Sequence, residues 1–250
     1  MRSSFSGFPK EGIDFFRRLA RNNRREWFLP RKAIFEEQVK RPMLELVEAI
    51  DGELARFAPE HVTDPERAIY RFYRDTRFSP DKSPYKDRIA ATFPRRGLTR
   101  HEGASYYFSV SNKEVAVGGG VYMPTPETLA AIRRHIAGRH EEFRRILSAR
   151  APRSLFGEMQ GEQLSRVPKG YPCDHPAADL LRFKQFLFYV ELPAEVALTS
   201  ALYEEIVKRF RAMARFTDFL NEGLAGQRTK ADLLSARIAR KGRSDVSVRP

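Results

Sequence analysis

Between Arg71 and Lys86 the chain reads RFYRDTRFSPDKSPYK. Arg71, Arg74, Arg77, Lys82 and Lys86, with Arg88 close behind, stand there among Asp75, Asp81 and Asp87. Guanidinium forks match the geometry of phosphate and carboxylate, and an aspartate such as Asp75 can fix a fork in place. If Ile69–Arg74 is extended, Arg71 and Tyr73 share one face and Tyr70, Phe72 and Arg74 the other, so the two arginines diverge unless a bulge intervenes. Ser79-Pro80-Asp81-Lys82 and Ser83-Pro84 are turn signals. Their prolines restrict the loop, which can then hold Lys82 and Lys86 as ordered charges beside an anion. The chemistry expected is binding of a phosphorylated small molecule or of a nucleic-acid backbone. The structural alternative is an internal ion-pair network that knits the loop to a sheet. Exposed ion pairs contribute little stability, which weighs against that purpose alone.

A second polar segment, PKGYPCDHP at Pro168–Pro176, adds Lys169, Tyr171, Asp174 and His175. Two loops ordered by proline suit a shared site, so this segment is expected to approach Arg71–Lys86. In an enzyme acting on a phosphorylated or nucleic-acid substrate, the cations would stabilise charge, and Asp75, Asp81, Asp174 or His175 would supply the carboxylate or base. Neighbouring side chains on an extended chain point apart, however, and His175 precedes a proline. Its structural role would be to cap a helix beginning near Pro176, with Asp174 at the positive end. His61, His101, His135 and His140 lack metal-ligand spacing, so no metal site is expected, and no motif specifies a cofactor. Gly118-Gly119-Gly120 lacks the lysine and the following helix of a phosphate loop; close backbone packing or a bulge is expected, at the end of a strand.

These residues need elements to place them. Ile13, Phe16, Leu19 and Ala20 form a helical stripe. Asn23 with Glu26 fits a capping box opening a further helical piece. Trp27 reads as a core anchor, and Pro30 as a kink or a fresh helix start. Ile34, Phe35 and Val39 extend the stripe, and Pro42 opens a helix with Leu44, Val47 and Leu54 inward. The period changes near Ala68: Ile69–Arg74 reads as a strand, and Ile89, Ala91 and Phe93 as another. Phe93–Gly103 is a polar loop. Tyr106, Phe108 and Val110 alternate, Ser111-Asn112-Lys113 turns, and Val115 and Val117 return, which predicts a β-hairpin. Pro126–Gly138 reads as a helix, Phe143–Leu147 as a shorter one, Phe183–Leu192 as a strand, and Leu202 to about Leu220 as a helix. The class predicted is α+β: a central, mainly antiparallel sheet flanked by N-terminal and C-terminal helices. Residues 1–221 are expected to form a single domain and 222–250 a basic tail.

The 250 residues carry 45 Lys and Arg against 32 Asp and Glu, a formal net charge of +13. That balance favours anionic partners without naming one. A single cysteine, Cys173, excludes an intrachain disulfide. The N-terminus MRSSFSGFPK has no apolar stretch of a signal peptide, and the longest apolar runs are as short as Phe186–Val190, so a cytoplasmic protein with no membrane span is expected.

Four stretches together carry a resemblance: NNRREWF at Asn22–Phe28, the Arg71–Lys86 segment, VGGGVYMP at Val117–Pro124, and PKGYPCDHP. With them the chain resembles the conserved family called domain of unknown function two-four-six-one, from about Phe8 to about Leu220. The resemblance implies one soluble domain. It carries over no activity, substrate or site residue. The candidate ligand-binding set is therefore the one read from the residues: Arg71, Arg74, Asp75, Arg77, Lys82, Lys86, Lys169, Tyr171 and His175. A third possibility is an interaction scaffold whose charged stretch is purely structural.

Overall fold

The computed structural model describes residues 5–77, 79–100 and 102–224. The C-terminal basic tail beyond Leu224 lies outside the described residues. The fold is α+β.

The first helix, Lys10–Ala20, buries Ile13, Phe15, Phe16 and Leu19, while Ala20 stays exposed. Short helical pieces follow, with Pro30 inside a 3-10 turn at Leu29–Arg31. A π-helical turn, Glu36–Lys40, leads into the helix Arg41–Phe57. That helix turns Met43, Leu46, Val47, Ile50 and Leu54 inward, with Leu44 only half-buried. Trp27 is half-buried against the core, with the Arg31 guanidinium 4.7 Å above its ring.

The sheet has four antiparallel strands in sequence order: β1 (Arg88–Pro94), β2 (Ser105–Ser111), β3 (Glu114–Val121) and β4 (Phe186–Pro193). The hairpin expected from the alternation of Tyr106, Phe108 and Val110 is β2–β3, with Phe108 opposite Val117 and Val110 opposite Val115. The long C-terminal helix, Ala201–Glu222, covers one face of this sheet. Its Phe210 ring lies 4.9 Å from Tyr106 and 5.8 Å from Phe93, and Phe216 lies 4.6 Å from Phe188. Phe93, Tyr106 and Phe188 lie in one row across the strands, with Gly119 between the last two, so burial of this one face fixes the register.

Three local expectations change. Asn23 does not cap a helix: the N-cap of Arg25–Phe28 is Arg24, with no side-chain cap bond, and the Asn23 carboxamide bonds the Tyr85 backbone instead. Ile69–Arg74 is not a strand. Ile69 bridges Ala91, and the chain then turns away, so that Arg74 N–H donates to Pro84 O at 2.9 Å and Lys86 N–H to Phe72 O at 3.0 Å. The segment pairs with its own return leg, which the two prolines bring back. The triple glycine does not end its strand either, since β3 runs through to Val121. The helix Arg150–Phe156, with Pro152 in its first turn, is an element that the periodicity does not announce.

Candidate anion-binding cleft

The charged segment is a narrow loop clamped at its base by rings. Phe35 stacks on Phe72 at 4.3 Å, and Phe28 lies 4.3 Å from Tyr85. The N-terminal helices therefore grip both legs, while the tip faces water.

At the tip the candidate cations are already engaged. Arg74 is paired with Asp81, and Arg77 lies 2.7 Å from Asp75. Lys82 Nζ donates to Thr76 O at 3.0 Å. Hydrogen bonds from Ser83, reinforced by Arg74, hold the Asp81 carboxyl down to about 2. The Arg77 guanidinium lowers Asp75 in the same way. These pairs fit the ion-pair network weighed against an anion site.

The two residues at the base behave differently. Lys86 Nζ sits 5.0 Å from the centre of the Tyr70 ring, and the Arg100 guanidinium 4.4 Å from the same ring. Arg100 is anchored by the backbone carbonyls of Arg67 and Ile69. Burial, then the charges of Arg100 and Arg71, push the Lys86 ammonium below the usual lysine range. None of Arg71, Lys86 and Arg100 has a carboxylate within ion-pair distance among the described residues. Lys86 and Arg100 thus converge on one tyrosine, and the exposed Arg71 is near enough for its charge to act on both Lys86 and Asp75. Sequence reasoning picked out Arg71 and Lys86 and missed Arg100, which stands in the polar loop between β1 and β2 and is brought in only by the fold.

Tyr70 and Arg100 also form one wall of a cleft of about 520 Å³ on the sheet face turned away from the C-terminal helix. Its floor and opposite wall come from the register. Thr92 of β1, Tyr107 of β2, Gly118 of β3 and Tyr189 of β4 lie in one row across the four strands. Gly118 leaves a gap between two tyrosines, and a Cβ there would lie 2.6 Å from Phe188 O and 3.2 Å from the Tyr189 ring. Ser105, Gly119, Gly120, Gln160, Leu187 and Phe188 complete the lining, with Tyr122 and Met123 exposed at the rim. Gln160 is held by its own bond from Nε2 to Tyr189 O, 2.9 Å. The Tyr189 hydroxyl is pushed up to about 12 by burial and by its bond to Glu191. No carboxylate, imidazole or thiol is among the described lining residues. The described lining side chains offer hydroxyls, a carboxamide and a guanidinium, which can bind and orient a ligand.

The second polar segment belongs to another neighbourhood. Tyr171 and His140 each lie 6.1 Å from the His175 ring. The His175 Nδ1 accepts from Ala177 N–H at 3.0 Å, next to the short helix Ala178–Leu181, which resembles the expected capping role. Asp174 and Lys169 are exposed. The strand-like bridge at Ile69 extends the β1 edge of the sheet, whereas those at Gln160 and Gln163 lie beyond β4. The structure brings Arg71 and Lys86 together with Arg100, and Tyr171 together with His175, without describing a contact between the two sets. Among the described residues there is no cluster of metal ligands. No described helix is long and apolar enough to cross a membrane.

Residues 11–219 match the model of a family described as conserved hypothetical protein (DUF2461). No curated protein matches the chain.

Proposed function

The chain belongs to the conserved hypothetical protein family DUF2461, and we propose that it binds a phosphorylated small molecule at the mouth of the sheet cleft, through Arg71, Lys86 and Arg100. The observation that carries this reading is the convergence of Lys86 and Arg100 on Tyr70, at 5.0 and 4.4 Å, with no carboxylate partner among the described residues. Burial first, and then the charges of Arg100 and Arg71, lower the Lys86 ammonium, so an anion there would favour its charged form. A phosphate would supply that anion, and the bidentate reach of Arg100 would orient it. Because the donors are pre-placed, little side-chain entropy is lost on binding. The enclosed volume suits a small ligand better than a long polymer.

The test is calorimetric titration with pyrophosphate, for the parent and for Lys86→Met with Arg100→Met. Binding that weakens at least tenfold in the double variant supports the site. Equal binding by a folded double variant refutes it. Binding should also take up protons at high pH, because an anion beside Lys86 raises its affinity for the proton.

A further inference from the structure

We propose that the ligand of this cleft is a nucleoside phosphate, whose base lies on Gly118 between Tyr107 and Tyr189 while its phosphate meets the cations at Tyr70. This inference rests on the anion-binding reading above and assigns the other half of the same cleft.

The argument starts from the register. Tyr107 and Tyr189 both stand directly opposite Gly118, one on each neighbouring strand. Two strand spacings separate their backbones by roughly 10 Å. The position between them carries no side chain, and the Tyr189 ring leans toward it, with Cδ2 3.2 Å from where a Cβ would stand. A gap of this kind with ring walls accepts a planar body better than a branched one. An aliphatic side chain at position 118 would fill it, and the 2.6 Å approach to Phe188 O shows how closely β4 passes.

The slot adjoins the cations. The Tyr70 and Tyr107 rings meet edge to face at 6.3 Å, and Arg100, 4.4 Å from the Tyr70 ring, lines the same cleft as Tyr107 and Tyr189. A ligand with an anion at one end and a planar ring a few bonds away spans both. The sheet edge of the slot carries Ser105 and the Gln160 carboxamide, whose Oε1 is left to accept a hydrogen bond while Nε2 is engaged. Nucleobases offer donors and acceptors of that kind. An isolated phosphate, or a sugar phosphate, would leave the two tyrosines and the bare floor without a partner.

The experiment compares ribose 5-phosphate, a set of nucleoside 5′-monophosphates and pyrophosphate on the whole protein, then repeats the series with Tyr107→Leu and Tyr189→Leu, each checked for folding by circular dichroism. At least one nucleotide should bind about tenfold or more tightly than ribose 5-phosphate, the scale of one stacked base. Either leucine variant should erase that margin while pyrophosphate binds as before. Equal affinity of every nucleotide and ribose 5-phosphate overturns the base slot but leaves the anion site standing. Pyrophosphate, sugar phosphate and nucleotide all failing to bind overturns both. Affinity that grows with oligonucleotide length and ignores both leucine variants also overturns the slot, in favour of a polyanion surface. The ligand comparison needs no variant, so a leucine variant that does not fold leaves the test decisive.

Discussion

The Asn23 carboxamide accepts a hydrogen bond from Tyr85 N–H at 3.1 Å and donates one to Tyr85 O at 2.9 Å, joining residues 62 positions apart. A single side chain thereby satisfies both backbone groups of the residue that precedes Lys86. It joins the end of the first helix to the returning leg of the charged loop, where Tyr85 is buried against Phe28 and Phe72. The position of Lys86 over Tyr70 follows from that anchor.

Asn23→Ala should therefore do more than remove a surface amide. Two half-buried backbone groups lose their partners, which costs on the order of 1–3 kcal/mol. Urea denaturation should show a lower midpoint with an unchanged slope. Pyrophosphate affinity should fall as well, since Lys86 loses its fixed base. A variant as stable as the parent would mean that water replaces the carboxamide at no cost.

Asp51 gives a prediction about pH. It is buried in the Arg41–Phe57 helix and accepts from Thr63 N–H at 3.3 Å. Burial raises its carboxyl from 3.8 to about 6, against the Thr63 bond, which favours the charged form. The folded state thus holds a proton there that the unfolded state has released. Stability from this group is fully present below pH 3.8 and declines as pH rises toward 6. Above that range the buried carboxylate is a standing penalty. Asp51→Asn keeps the acceptor for Thr63 and removes the charge. It should raise stability at pH 7.5 by ~1–3 kcal/mol, and the gain should vanish near pH 3. Thermal melts across that range decide it. A gain equal at both ends, or a loss at pH 7.5, would sink the assignment.

The tip of the charged loop should matter far less than its sequence suggests. Arg74 and Arg77 already face Asp81 and Asp75, and the aspartates and Arg77 are open to solvent. Exposed pairs of this kind contribute little. Arg74→Ala combined with Arg77→Ala should leave the thermal midpoint within about 2 °C of the parent and pyrophosphate affinity within twofold, roughly the scatter of such titrations. A large drop in affinity would return the anion site to the loop tip.

The hairpin and the helices were readable because their signals are local. Tyr106, Phe108 and Val110 alternate within five residues, and the stripe of Ile13, Phe16 and Leu19 repeats within two turns. Asn23 misled because Asn followed by Glu26 three residues on satisfies a local rule, whereas its real partner is distant in sequence. Ile69–Arg74 had strand composition, yet only Ile69 and Tyr70 meet β1, and the stretch from Phe72 to Arg74 pairs with its own return leg. The cleft is built from long-range register: Tyr107, Gly118 and Tyr189 become neighbours only when β2, β3 and β4 pair. A trace of it was present in the sequence. Three glycines inside an alternating strand leave a surface without side chains, and tyrosines at 107 and 189 belong to the strands on either side. Spacing along the chain could not say that they meet.

The three glycines of β3 differ in what each one permits, and substitution should separate them. Gly120 has a φ of 116°, in the region that L side chains rarely adopt. A Cβ there would lie 2.0 Å from Phe186 O and 3.0 Å from the Phe216 ring. Gly120→Ala must therefore change the backbone and push β3 from β4, at a cost of several kcal/mol, roughly 3 or more. At Gly119 the nearest atom is the Met213 sulfur at 2.4 Å, but Ser105 O follows at 2.8 Å. Methionine can swing aside, so Gly119→Ala should cost less than Gly120→Ala. Gly118 has ordinary strand geometry and meets Phe188 O at 2.6 Å and the Tyr189 ring at 3.2 Å. Gly118→Ala should destabilise to an intermediate degree, and it also raises the floor between Tyr107 and Tyr189. Its distinguishing effect should be on binding: a nucleotide should lose affinity while pyrophosphate, held at Tyr70, does not. Chemical denaturation ranks the three variants, and titration of the folded ones reads the cleft. If Gly120→Ala proves the mildest, the strained backbone assigned to β3 is wrong. If Gly118→Ala weakens pyrophosphate as much as a nucleotide, the floor and the cation cluster are one site rather than two adjoining halves.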